Sequence, residues 1–119
     1  MKILDEQELH NLAMNIVGKE LEAKGWEFLA VNSQPKRDPQ FVCVDSKRKK
    51  HFVVVRAISY PENPHEIDYV FMETIKQHAS KFNAATYYAG VGLANAIDYE
   101  KPISSEEDYV VNYNGIIEI

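Results

Sequence analysis

The chain has 119 residues, 45% hydrophobic and 26% charged, with a net charge of -5. That is enough chain to bury about two-thirds of its unfolded surface as one domain, residues 1–119, with no metal or disulfide staple and no expected cofactor. The acidic balance disfavours nucleic acid, whose phosphates demand lysine and arginine, and a lone cysteine with no leader or apolar run of ~20 residues implies a cytoplasmic protein off the membrane.

In chain order, residues 5–24 read as a helix. Leu9, Leu12, Ala13, Ile16, Val17 and Leu21 fall on one stripe. Asp5 and Glu8 form a capping box, and Gly25 ends the helix. A strand follows over residues 26–32, then a polar, proline-bearing loop over 33–39. Strands over about 40–45 and 51–58 flank the basic run Lys47, Arg48, Lys49, Lys50, which reads as a hairpin tip. Cys43 lies in the first of these strands and reads as a buried, inert thiol.

A second helix is expected from Asn63 as cap, with Pro64 at its first position and Glu66 as reciprocal partner. Ile67, Val70, Phe71, Ile75, His78, Ala79 and Phe82 form its expected buried face, leaving Tyr69, Met72 and Lys76 opposite as a hint of self-association. A strand over residues 86–93 should run parallel to the 51–58 strand, because a helix separates them. Residues 94–107 look irregular. Residues 109–113 and 116–119, joined by Asn114 and Gly115, read as a type I′ hairpin. The expected class is α/β in the broad sense (α+β), a mixed sheet flanked by helices.

The order α-β-β-β-α-β, the run Lys24-Gly25-Trp26, the strand ending at Asn32 and the segment Phe52-Val53-Val54-Val55-Arg56 carry a resemblance. Over roughly residues 9–93 the chain resembles the restriction-endonuclease-like (PD-(D/E)XK) superfamily, most closely its small bacterial members. The last 26 residues lie outside the likeness. The resemblance implies an αβββαβ core and, in active members, a divalent metal held by carboxylates beside the scissile phosphate. In this chain Gln40 stands where the first acid belongs, Val54 where the second belongs, and Arg56 in the lysine position. Met14 falls where some members carry a helix glutamate. Valine offers no ligand and arginine stays protonated, so the resemblance implies a degenerate, inactive site with no metal.

Asp38 or Asp45 with Glu66 or Glu73 could rebuild a metal site by migration. The simpler reading makes these residues a strand start, a turn and helix surface. Lys47, Arg48, Lys49 and Lys50 could touch a phosphate backbone, though no aromatic stacking platform accompanies them. The resulting expectation is a catalytically inactive nuclease-fold protein that binds a protein partner or a second copy of itself as a homodimer. A non-cleaving nucleic-acid-binding domain is the first alternative, and a nuclease with migrated acids is the second.

Overall fold

The computed structural model describes residues 2–119. It is a compact α+β arrangement of two helices on a mixed six-stranded sheet. Helix α1 spans Glu6–Ala23, and its expected capping box is present: the Asp5 side chain accepts from the Glu8 amide, and the Glu8 side chain accepts from the Asp5 amide. Its end is a Schellman motif. The Trp26 amide donates to the Leu21 carbonyl at 3.2 Å and the Gly25 amide to Glu22 at 2.9 Å. Gly25 supplies the positive φ of 78° that this turn requires.

Strands β1 (Glu27–Val31), β2 (Phe41–Val44) and β3 (Lys50–Ser59) form an antiparallel meander. Helix α2 (Tyr69–Ser80) crosses to β4 (Ala84–Asn95), which pairs parallel to β3 over ten residues. These two central strands are buried on both faces and so read as near-continuous apolar runs. Alternation along β3 splits the core. Val53 and Val55 join Ala13, Val17 and Leu21 beneath α1, while Val54 meets Met72 and Tyr88 beneath α2.

Two expectations fail. The second helix starts at Tyr69 with Asp68 as its cap, its carboxylate accepting from the Phe71 amide. Asn63 instead closes a turn, accepting from the His65 amide at 2.9 Å. The cause is Pro64, which is buried against β4: its carbonyl lies where a Cβ on Gly90 would be, at 2.0 Å. That contact pins the segment to the sheet, and the helix begins only after it. The buried face turns accordingly. Met72 is 1% exposed, whereas Val70 is 83% exposed and His78 and Phe82 also lie open. The hint of self-association from Met72 is thereby withdrawn.

The C-terminal hairpin is also absent. Strands β5 (Tyr109–Asn112) and β6 (Ile117–Glu118) pair with β4, not with each other, along the same edge. Only Gly115 of the Asn114-Gly115 pair has a positive φ, so no type I′ turn forms. The twelve-residue β4 is long enough to hold both segments. Between them the chain steps around Glu20 of α1, whose carboxylate accepts from the Tyr113 hydroxyl and from the Ile116 amide at 3.2 Å. Burial, and then this contact, push the Tyr113 phenol up.

Among the described residues no helix is long and apolar enough to cross a membrane. Substituting Gly90→Ala should lower the free energy of unfolding by about 3 kcal/mol, because a methyl there overlaps the Pro64 carbonyl and the Tyr88 ring. Urea denaturation followed by circular dichroism would measure it. A midpoint equal to the parent's would show that the turn yields freely.

Candidate functional site

The site grows from a mismatch in strand length. Pairing between β2 and β3 ends at Phe41 opposite Val53, yet β3 runs on to Ser59. Beyond that point the backbone of β3 has no neighbouring strand on the β2 side, and side chains take over. The Gln40 amide still donates to the Val53 carbonyl at 3.0 Å. Next, the Gln40 side-chain oxygen accepts from the Val55 amide at 2.7 Å, and Gln40 Nε2 donates to the Arg37 carbonyl at 3.0 Å. Arg56 Nη1 then donates to the Val55 carbonyl at 3.1 Å. Gln40 and Arg56 thus complete the bonds that a longer β2 would have made.

Arg56 is held end-on by Asp38. Nη1 lies 2.7 Å from one carboxylate oxygen and Nη2 2.8 Å from the other. The side chains are 19% and 8% exposed. The guanidinium also lies over the Phe71 ring, 5.5 Å from its centre. Burial alone would raise the Asp38 pKa, but the hydrogen bonds and charge of Arg56, with help from Gln40, hold it below the usual carboxylate range. On the α1 side, His10 is buried and its Nε2 has no partner among the described residues. Burial, then the nearby Arg56 charge, lowers the His10 pKa.

The other expected site residues fall as follows. Val54 is fully buried under α2 and opens onto no cleft. Met14 packs into the α1 side of the core and lines a crevice with Phe28 and Phe41. Glu66 and Glu73 are exposed, and neither makes an ion pair or side-chain hydrogen bond with Arg56. Lys47, Arg48 and Lys49 do lie in the exposed turn between β2 and β3, with Arg48 at a positive φ of 70°, and Lys50 opens β3. Lys50 is six residues from Arg56 along β3, roughly 20 Å, so tip and arginine form no single patch. Among the described residues, no group of three or more histidine, cysteine, aspartate or glutamate side chains is placed to hold a metal ion.

Asp45 does open the turn, accepting from the Lys47 and Lys49 amides at 2.8 and 2.9 Å. It also reaches the histidine that follows the basic turn, His51. His51 is buried and stacked on Trp26 with ring centres 3.9 Å apart. His51 Nε2 is 3.0 Å from Asp45, and Nδ1 is 2.9 Å from the Tyr87 hydroxyl. An ionised Asp45 only accepts, so Nε2 carries the proton and Tyr87 donates to Nδ1. The hydrogen bond from His51 lowers the Asp45 pKa, while burial, then the Glu118 and Asp45 charges, raises that of Tyr87. A tyrosine held protonated is no nucleophile, so this chain of contacts is a brace across β2, β3 and β4. The signal for it was the period-2 alternation that turns His51, like Val53 and Val55, toward α1.

Fold and site together define an α+β domain whose central strand pair is locked by its own polar side chains. The chain belongs to the family described as domain of unknown function DUF8840, whose model matches residues 7–119. No curated protein and no solved structure matches it.

Replacing Asp38 with Asn would leave Arg56 buried without its counter-charge, and unfolding should become easier by about 3 kcal/mol at neutral pH. The folded-state pKa of Asp38 is depressed. Its contribution is therefore complete above the unfolded value of about 4 and drains away as pH falls through the lower folded value. The stability gap between parent and Asp38→Asn should accordingly narrow as urea titrations are taken to pH values below about 4. A gap that stays constant with pH would remove the ion pair as its cause.

Proposed function

We propose that this chain is a catalytically inactive relative of the restriction-endonuclease-like proteins that serves as a binding or assembly module. The connectivity supports the reading: an antiparallel β1–β2–β3 meander, a helical crossover, and β4 parallel to β3, with α1 and α2 on opposite faces. One observation carries the inactive part. Asp38, the carboxylate that reaches Arg56, is spent on it in a two-point ion pair. A metal would have to break that pair and would then find a neutral amide on one side and a valine on the other.

The binding part rests on the sheet edges. Tyr109, Val110, Val111 and Asn112 are all exposed, uncharged and free of proline along the outer strand β5. Such an edge is normally blunted with charge, proline or a covering element unless it pairs with something. Val31 and Leu29 are similarly exposed on β1, at the opposite edge. The nucleic-acid alternative has its own support in Lys47, Arg48, Lys49 and Lys50, none of which is paired with an acid among the described residues.

Supercoiled plasmid incubated with the protein and magnesium or manganese should remain uncut. Metal-dependent nicking that disappears in Asp38→Ala or Asp45→Ala would sink the inactive reading. Light scattering should give a mass of two chains, dropping to one in Val111→Lys. A parent mass of one chain would remove self-assembly, and a salt-sensitive shift of duplex DNA, lost on replacing Lys47 and Lys49, would move the function to nucleic acid.

A further inference from the structure

A cleft of about 430 Å³ lies between the start of α1, the loop after β1 and the far end of β3. Glu6, His10, Lys36, Arg56, Ala57 and Glu62 are among its lining residues. Three features of this cleft are unspent. The first is on Arg56. Its end-on fork goes to Asp38 and the remaining Nη1 hydrogen to Val55. A guanidinium carries five hydrogens, so two are left over: the side fork, Nε–H with the second Nη2–H, has no acceptor among the described residues. The second is His10 Nε2, buried and without a partner among the described residues, on a ring that lines the cleft. The third is main chain. Val53 and Val55 direct their polar groups to the β2 side, so by alternation Ala57 does too, where no strand remains to meet them.

The charges decide what could answer these groups. Arg56 and Lys36 are the cations at the cleft, while Asp38, Glu6 and Glu62 are the acids, and His10 is biased toward its neutral form. The sum is one negative charge. A bare anion would take the guanidinium fork at the cost of facing those carboxylates. A ligand with both signs would satisfy the fork and the acids together. The volume is in the range that holds small molecules.

We propose that this cleft binds a compact zwitterion, an α-amino acid or a short peptide. Its carboxylate takes the side fork of Arg56, and its ammonium group faces Glu62. The main chain of Ala57 and the free nitrogen of His10 supply the remaining hydrogen bonds. This goes beyond the binding-module reading and does not depend on the sheet edges.

The test is an amide-resolved NMR titration of the whole chain with the standard L-amino acids, with di- and tripeptides, and with acetate and inorganic phosphate as controls. At least one zwitterion should give saturable shifts at His10, Arg56, Ala57 and Ser59, and acetate and phosphate should bind about tenfold more weakly or worse. Whether free amino acids or peptides saturate first tells the two sources apart. Glu62→Gln, on an exposed loop, should weaken binding about tenfold without unfolding the chain. Arg56→Lys, which keeps charge and loses the fork, should abolish it; if that variant does not fold, Glu62→Gln alone decides. No saturable shift up to about 10 mM, equal binding of acetate, or an unchanged affinity in Glu62→Gln would overturn the proposal.

Discussion

The structure turns on β3 being longer than β2. A central strand cannot leave its backbone unpaired in the interior. Where β2 stops at Phe41, the Val55 amide and carbonyl are answered by the side chains of Gln40 and Arg56. That arrangement brings a guanidinium into a half-buried place, and the guanidinium in turn requires Asp38. Asp38 and Gln40 are fixed by the same loop, whose ends meet through the Asn32 amide and the Gln40 carbonyl at 2.8 Å. The polar groups at this point are therefore structural first. Any function there must use what they leave over.

The same economy explains the other polar contacts in the interior. Asp45 closes the β2–β3 turn with one oxygen and holds His51 with the other. Asn95 ends β4 by donating to Pro102 and Glu107 and accepting from Ile97, which ties the long loop before β5 to the sheet. Glu20 receives the Tyr113 hydroxyl and the Ile116 amide where the edge strand breaks. Each sits where regular pairing stops, as expected if every buried backbone group must find a partner.

Much of the fold was legible because its signals are local. Asp5, Glu8 and Gly25 mark α1 at both ends, and the valine run of β3 and the apolar run of β4 leave little choice but central strands. The phase of α2 was not legible. Val70 and Met72 are both apolar and two residues apart, so periodicity accepts either face, and the decision came from Pro64 packing on Gly90 far along the chain. Asn114-Gly115 favours a hairpin locally, but β4 offered both segments a partner at once. At the site, Arg56 was recognisable as a charge needing an answer. Which acid answers it was hidden, because Asp38 is eighteen residues away along the chain and reads on paper as no more than a strand start.

The basic turn carries a consequence that the net charge conceals. Lys47, Arg48, Lys49 and Lys50 lie at the start of β3, and the loop after the parallel β4 holds Asp98, Glu100, Glu106, Glu107 and Asp108 against Lys101 alone. Because β3 and β4 run side by side in one direction, these two groups occupy opposite ends of the sheet, roughly 30 Å apart. The two segments thus set patches of opposite charge at the two ends of the strands. At low ionic strength such a body turns before it touches, presenting one end to an acidic surface and the other to a basic one.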